Sequence, residues 1–239
     1  MQRYFATKDK FENIVINPDD VFHIQKVMRM KIGDIIEINC DGAIYHAKIL
    51  SFTPTFSFET IDCIKENHEV DGYIRLLYCL PKGDKTDLVI QKAVELGASE
   101  IVLINSTRSI AKITKENKSK KIDRFHKIIK EASEQSKRTR LLKLEDVISF
   151  KELENYPADL SLIAYENTDF TSEDLLDELS SIKGKIVNVL VGAEGGITKE
   201  ELEISKKIGY KEISLGKRIL RSETACLYIL SLLSFYMEN

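Results

Sequence analysis

Two polar loops near the carboxyl end of the chain carry the residue types that could do chemistry. Residues 192–196 (GAEGG) follow an apolar run at 185–191, and residues 216–224 (GKRILRSET) follow another at 211–215. Each run has the length and composition of a short buried strand, and each loop leads into a segment with helical character. Loops at the carboxyl ends of neighbouring strands are the usual ligand sites of α/β sheets. The pattern therefore predicts one ligand site built from these two loops.

The glycine-rich loop does not fit the common phosphate-binding patterns. It is too short for GxGxxG and lacks a Lys-Thr or Lys-Ser pair, which argues against dinucleotide and nucleoside triphosphate sites. Gly192, Gly195 and Gly196 instead predict a tight turn whose backbone a ligand approaches closely. Exposed N–H and C=O groups can read the edge of an adenine. The alternative is a plain strand-to-helix turn, for which one glycine would be enough.

The second loop combines cations with apolar side chains. Ile219 and Leu220 stand between Arg218 and Arg221. Apolar residues held in a charged loop predict the wall of a flat aromatic pocket.

Composition sets the class of protein that must hold these loops in place. The 239 residues are 43% hydrophobic and 31% charged, with a net charge of -3, as in an ordinary soluble protein. Any nucleic-acid site must therefore be a local basic patch. The four cysteines form no CxxC pair and no metal-like spacing, which favours free thiols in a reducing cytoplasm and no metal centre. The longest uncharged run, residues 224–237, is shorter than the roughly 18 residues of a membrane span.

The first seventy residues are typical of a small β-barrel. Short β-like runs alternate with turn signals, and Asp41-Gly42 is a strong hairpin signal. The predicted strands cover residues 3–6, 13–16, 34–39, 44–52 and 56–64, with one helix at 18–30. Basic residues here could form a phosphate-binding face, and a histidine could stack on a base; the alternative is a solvated charged surface. The candidates are Arg3, His23, Lys26 and Arg29.

Residues 73–239 predict a second, α/β domain. A strand at 73–80, a helix at 85–96 and a strand at 98–105 form a βαβ unit, which indicates a parallel sheet. Further strands are expected at 159–165, 185–191 and 211–215, and helices at about 119–138, 174–179, 198–209 and 223–235. Asp84 and Gly97 are expected to cap the two ends of the helix at 85–96. The run TKEE at 198–201 is a capping box that would start the helix at 198. A basic cluster containing Arg138 ends the long helix. It predicts either an RNA phosphate contact or cations attracted by the helix dipole.

The two loops and their surroundings resemble a known family. VGAEGG at 191–196 and SLGKRILRSETA at 214–225 look like the signature of the bacterial 16S rRNA uridine-N3 methyltransferases, members of the SPOUT superfamily of knotted methyltransferases. LPKGDK at 80–85, Arg108-Ser109 and EASEQS at 131–136 match its central segments. Arg3-Tyr4-Phe5 and HIQKVMR at 23–29 match its PUA-like RNA-binding barrel. Ala193 and Lys217 stand where the family usually or often has proline.

The resemblance implies a PUA-like β-barrel at residues 1–70 and an α/β trefoil-knot methyltransferase domain at 73–239. It also implies a cytoplasmic homodimer that acts on 16S rRNA in the 30S subunit, with S-adenosylmethionine as cofactor. RNA contacts would include Arg108. The residues implied at the cofactor are Ala164, Tyr165, Glu166, Gly192, Ala193, Glu194, Gly195, Gly196, Leu215, Gly216, Ile219, Leu220 and Ala225.

The implied reaction suggests roles for the charged residues. Uracil N3 is not nucleophilic until its imide proton leaves, so a nearby cation would stabilise the resulting anion. Arg221 is the first candidate and Arg218 the second. Glu223 could take the proton, orient Arg221, or simply satisfy a helix N-terminus; Glu194 is the other candidate base. Two alternatives stay open: a catalytically silent RNA-binding or ribosome-assembly factor, and a knotted methyltransferase that modifies another RNA atom.

Overall fold

The protein divides into two compact units. The computed structural model describes residues 1–109, 113, 118–166 and 172–239. Unit 1 comprises Met1–Glu69 and Ser133–Leu141, and unit 2 comprises Val70–Ala132 and Leu142–Asn239. The first division falls close to the expected boundary, whereas no sequence pattern indicates that residues 133–141 belong with unit 1.

Unit 1 contains a five-stranded mixed sheet. Its strand order is β2-β1-β3-β4-β5, an open half-barrel in which only β1 and β3 are parallel. The buried face packs around Tyr4, Ile24, Ile36 and Ile38. The elements are β1 (Arg3–Lys8), β2 (Ile14–Ile16), α1 (Pro18–Phe22), a π-helical turn (His23–Val27), β3 (Ile35–Cys40), β4 (Ala43–Ser51) and β5 (Ser57–Ile64).

The predicted hairpin is confirmed, and the predicted helix is shorter than expected. Asp41 and Gly42 have φ angles of 52° and 83° and connect β3 to β4, with Cys40 paired to Ala43. Two consecutive residues with positive φ are what a two-residue hairpin turn requires. The helix expected at 18–30 is instead the short α1 followed by the π-helical turn, and Arg29, at φ 54°, lies outside helical geometry.

Two buried arginines tie unit 1 together. Arg3 is fully buried, with Nε 2.9 Å from Glu37 Oε2 and Nη2 3.1 Å from Glu66 Oε2. Arg138 is also buried, and its Nε donates to Glu69 Oε2 at 2.8 Å. Burial of a charge is tolerated only when the charge is paired in this way. These pairs connect the β strands to the segments at 66–69 and 133–141.

Unit 2 contains a six-stranded, all-parallel sheet in the order β11-β9-β10-β6-β7-β8. Every residue of β7 is buried and nearly every residue of β10, as expected for parallel strands covered on both faces. The elements are β6 (Tyr73–Cys79), α2 (Lys85–Glu95), β7 (Glu100–Ile104), α3 (Lys118–Gln135), β8 (Lys143–Leu144), a 3-10 helix (Phe150–Asn155), β9 (Leu160–Ala164), α4 (Ser172–Leu179), β10 (Ile186–Val191), α5 (Lys199–Lys207), β11 (Lys211–Ile213) and α6 (Ser222–Glu238).

Local signals explain where the helices of unit 2 begin and end. Thr198 Oγ1 accepts the Glu201 N–H at 3.1 Å, and the Glu201 carboxylate accepts the Thr198 N–H at 2.9 Å, so the expected capping box starts α5. Gly97, at φ +81°, ends α2 as expected. Asp84 is the N-cap residue of α2 as expected, although its side chain makes no capping hydrogen bond.

One predicted segment falls partly outside the described residues. The lysine-containing polar loop that we expect at 108–121 includes residues 110–112 and 114–117. In the described part of the chain, no helix is both long and apolar enough to cross a membrane.

The Glu69 ion pair gives a testable prediction about unit 1. Burial alone would raise the pKa of Glu69, but Arg138 and the N–H groups of Thr139 and Arg140 lower it overall from its ordinary value near 4.5. Because the folded-state pKa is depressed, the stabilisation is present above about pH 4.5 and is lost as the pH falls through the folded pKa. Glu69→Gln should therefore lower the unfolding free energy at pH 7 by about 1–3 kcal/mol.

Urea unfolding at several pH values measures this effect. The deficit of Glu69→Gln relative to the wild type should shrink in acid, where the wild-type carboxyl is also protonated. Glu12→Gln is the matched control, since the Glu12–Lys8 pair is exposed and worth little. A deficit that did not change with pH, or an equal loss in the control, would contradict the assignment.

Candidate active site

The register of the parallel sheet brings the polar loops to one edge. Val191 pairs with Ala164 of β9 on one side and with Tyr78 of β6 on the other, and Ile213 of β11 also pairs with Ala164. The loops that follow these strands therefore open side by side. They surround a cavity of about 510 Å³.

This cavity unites the residues predicted to bind the cofactor. Arg218 and Arg221 also line it, whereas Glu223 reaches it through Lys85, a lining residue 3.1 Å from its carboxylate. Ile219 is 83% exposed, unusually open for an isoleucine. The predicted residues in the lining are Ala164, Tyr165, Glu166, Gly192, Ala193, Glu194, Gly195, Gly196, Leu215, Gly216, Ile219, Leu220 and Ala225.

At each of the three glycines of the GAEGG loop, a side chain would be unfavourable for a different physical reason. A Cβ on Gly192 would come within 2.9 Å of Ile197 Cγ1, and one on Gly195 would lie 3.0 Å from Arg108 Cβ. Gly196 has φ +70°, a conformation that side chains disfavour. The loop is thus tightly packed on its protein side as well as open to the cavity, which explains why one glycine would not be enough.

Side chains from neighbouring segments hold this loop in place. Arg108 Nη1 donates to Gly195 O at 2.7 Å. The Lys82 N–H lies 3.2 Å from Glu194 Oε2. Arg108 is exposed and holds the glycine loop through one nitrogen of its guanidinium; its expected contact with RNA stays a prediction.

A hydroxyl relay links the glycine loop to the start of α6. Ser222 Oγ lies 2.6 Å from Gly192 O and 3.2 Å from Tyr78 Oη. The carbonyl can only accept, so Ser222 donates to Gly192 O, and the same hydroxyl lies within hydrogen-bond distance of Tyr78 Oη. Burial raises the pKa of Tyr78 well above its usual value, which keeps this phenol protonated. The relay joins β6, the glycine loop and α6 at the cavity wall.

Lys85 is the cavity residue that sequence reasoning did not single out. As the first residue of α2 it places Nζ 3.0 Å from Glu194 Oε1 and 3.1 Å from Glu223 Oε2. Its position directly after the loop that ends β6 was the available signal, because that loop lies at the same sheet edge. Both candidate bases of the sequence analysis are therefore paired with one ammonium group.

The residues predicted to contact RNA in unit 1 fall into two groups. Lys26 and Arg29 are exposed, and the partly exposed His23 accepts or donates a 3.1 Å hydrogen bond with Tyr4 Oη. Arg3 and Arg138 are buried in the ion pairs described above. The expectation that these two arginines contact phosphate is corrected, since their charges serve internal carboxylates.

Comparison with known proteins agrees with this geometry. The RNA methyltransferase domain family matches residues 68–234, and the RNA methyltransferase PUA domain family matches residues 16–54. The chain is 36% identical to ribosomal RNA small subunit methyltransferase E of Bacillus subtilis, over 100% of this chain and 98% of the relative. It is 32% identical to ribosomal RNA small subunit methyltransferase E 2 of Borreliella burgdorferi, over 95% and 93%.

A solved structure shows the same similarity in three dimensions. The ribosomal RNA small subunit methyltransferase E of Neisseria gonorrhoeae, solved bound to S-adenosyl methionine, matches with a TM-score of 0.84 and 25% identity. The match covers 98% of this chain and 97% of that one. A parallel α/β unit with a cavity at its strand ends, in a chain that also carries a PUA-type domain, is what an RNA methyltransferase of this kind requires.

The chain therefore belongs to the RNA methyltransferase family and, within it, to the ribosomal RNA small subunit methyltransferase E group. The expected enzyme class is confirmed, and so is the pairing of an α/β methyltransferase unit with a PUA-type domain.

Loss of the hydroxyl relay should destabilise the site measurably. Ser222→Ala removes a partner from both Gly192 O and Tyr78 Oη, and a buried polar group that loses its partner costs about 1–3 kcal/mol. Ser180→Ala is the matched control, because Ser180 is exposed and donates to Asp177 O after α4. Thermal unfolding should show a clearly lower Tm for Ser222→Ala and little change for Ser180→Ala. Equal melting of the two variants would count against the relay.

Proposed function

We propose that this protein transfers a methyl group from S-adenosylmethionine to N3 of a uridine in the decoding region of 16S rRNA. The observation that carries the proposal is the 510 Å³ cavity, which is lined by the residues that the resemblance implies for the cofactor. The names of the relatives support a substrate in the small ribosomal subunit. We also propose that the carboxyl-terminal segment of residues 73–239 is threaded through a loop to form the trefoil knot that the resemblance implies.

The cavity fits the proposed cofactor in size and chemistry. Its volume lies within the range of about 300–1,000 Å³ typical of ligand pockets. Backbone groups at residues 192–196 and 215–216 offer hydrogen-bond donors and acceptors to an adenine edge. Ile219 and Leu220 offer apolar surface to its faces. When bound, S-adenosylmethionine supplies an electrophilic methyl group carried on a sulfonium.

The cations of the second loop have the chemistry to stabilise the substrate. Arg218 and Arg221 line the cavity and are exposed to solvent. A guanidinium beside uracil would favour loss of the N3 proton by stabilising the anion, as donors do in an oxyanion hole. Arg221 is the first candidate for this role, because it immediately precedes α6 and lies where two cavity loops meet.

The proposed RNA contacts of unit 1 come from its π-helical turn. His23, Lys26 and Arg29 fall within seven residues of one another, and the two cations are exposed. Cations arranged in this way bind phosphates, and such binding weakens as salt is added. A local basic patch of this kind would attract RNA phosphates even though the net charge of the whole chain is slightly negative.

We also propose that the protein is a homodimer formed through α6. Residues 224–237 carry no charged side chain, as a fully buried helix would. Yet Tyr228 is 44% and Phe235 61% exposed, with Ser231 between them on the same face. An exposed, uncharged face of this kind is typical of a protein interface. A second copy of the chain is the partner that the family resemblance implies.

A direct test is methyl transfer from isotopically labelled S-adenosylmethionine to unmodified small ribosomal subunits, followed by nucleoside mass spectrometry. The proposal predicts label in N3-methyluridine. Label in another nucleoside would keep the methyltransferase and discard the target. Absence of both label and calorimetric cofactor binding would favour a silent RNA-binding factor.

Replacement of Arg221 should slow turnover more than it weakens cofactor binding. Arg221→Ala is expected to lower kcat by about 100-fold or more, the effect of removing one donor that stabilises a developing anion. Calorimetry should show a nearly unchanged Kd for S-adenosylmethionine. Lys211→Ala, a change at an exposed cation of β11, serves as the control and should leave kcat intact. Near-full turnover of Arg221→Ala would refute this role.

A charge on the exposed face of α6 should break the dimer. Phe235→Asp is expected to shift the protein from dimer to monomer in sedimentation velocity, because an interface core does not tolerate an unpaired carboxylate. Ile208→Asp, at a comparably apolar surface position after α5, should leave the dimer unchanged. A wild-type monomer, or dimers of both variants, would contradict the proposed interface.

A further inference from the structure

Lys85 connects three segments that surround the cavity. Its ammonium group pairs with Glu194 of the glycine loop at 3.0 Å and with Glu223 in the first turn of α6 at 3.1 Å. Lys85 itself begins α2 and lines the cavity. The side chains of Lys85 and Glu194 are about one-third exposed and that of Glu223 is 15% exposed, so the pairs are partly shielded from water.

We propose that Lys85 is a positioning residue of the cofactor site, which fixes the glycine loop against the start of α6. The inference rests on the proposed function, since it concerns the same cavity. Without the ammonium group, two carboxylates would face each other across the space it occupies. Like charges at such close range repel, which would drive Glu194 and its loop away from Glu223.

The same contact argues against Glu194 as a proton acceptor. Burial alone would raise the pKa of Glu194, but the hydrogen bonds from Lys85 and from the Lys82 N–H lower it overall. A carboxylate held ionised by its partners has little affinity for an imide proton. Glu194 is therefore an anchor for the loop, attached at its carboxylate to both the side chain of Lys85 and the backbone of Lys82.

Three anchors then act on one five-residue loop. Ser222 binds the first residue through Gly192 O, Lys85 binds the third through Glu194, and Arg108 binds the fourth through Gly195 O. Glycine-rich backbone loses much conformational freedom when it is ordered. Ordering it in advance lowers the cost of binding a ligand. Two of these anchors connect the loop to α6: Lys85 does so through Glu223, and Ser222 is the first residue of that helix.

Calorimetric titration of S-adenosylmethionine into Lys85→Met tests the proposal. The Kd is expected to rise by about tenfold, equivalent to about 1.4 kcal/mol. Lys85→Arg, which keeps the charge, should recover most of the affinity. Lys92→Met is the matched control, because Lys92 lies on the same helix, is similarly exposed and pairs with Glu95 outside the cavity. It should bind the cofactor like the wild type.

A double-mutant cycle with Glu194→Gln separates positioning from a general loss of stability. Glu194→Gln keeps the shape of the side chain and leaves Lys85 paired with Glu223, so this variant should fold even if Lys85→Met does not. It should also weaken cofactor binding, and the double variant should be little worse than Lys85→Met, because both changes remove one contact. Thermal unfolding of each variant confirms that the folded protein is being titrated.

The outcomes distinguish this inference from the proposed function. A wild-type protein that binds no S-adenosylmethionine would overturn the proposed function. Normal wild-type binding with unchanged affinity in Lys85→Met or in Glu194→Gln would overturn the role of Lys85 alone. Strictly additive effects in the cycle, or equal losses in Lys92→Met, would do the same.

Discussion

The parallel register of β9, β10 and β11 is the constraint on which the site depends. Because Ala164 pairs with both Val191 and Ile213, three chain segments that are distant in sequence end at the same row of the sheet. The loops that follow these strand ends therefore lie next to one another at the same edge of the sheet. A one-residue slip in the register of one strand would turn its side chains to the other face of the sheet and displace the loop that follows it from the other two.

Polar contacts then fix the backbone of the glycine loop in the conformation that lines the cavity. Gly192 and Gly195 lie so close to the side chains of Ile197 and Arg108 that an added Cβ would displace them. Hydrogen bonds and ion pairs from Lys85, Arg108 and Ser222 then fix the backbone from different sides. A ligand that binds such a loop meets groups already in position, which is how preorganisation increases affinity.

The sequence predicted much of this arrangement. Apolar runs bounded by glycine located the strands of both sheets, and the capping box and the Asp41-Gly42 hairpin were local signals that the structure confirms. The cavity lining followed from the resemblance, because short motifs retain the identity of loop residues. The two-residue strand β8 and the 3-10 helix at Phe150–Asn155 were not predicted, since short irregular elements leave no periodic pattern.

What the sequence could not give was the partner of each charge. Arg3 and Arg138 looked like phosphate-binding cations, but they are buried against carboxylates 34 to 69 positions away along the chain. Lys85 was named only as the last residue of the matching segment at 80–85, and in the structure it is paired with residues more than one hundred positions away. Charge alone does not distinguish a solvated cation from a structural one; only the fold determines which side chains meet.

Hydrogen exchange followed by mass spectrometry, with and without S-adenosylmethionine, tests the central claim most directly. If the cavity is the cofactor site, the ligand should slow amide exchange in the segments at 164–166, 192–196 and 215–221, while peptides from unit 1 keep their rates. Protection confined to other segments, or no protection at saturating ligand, would contradict the account.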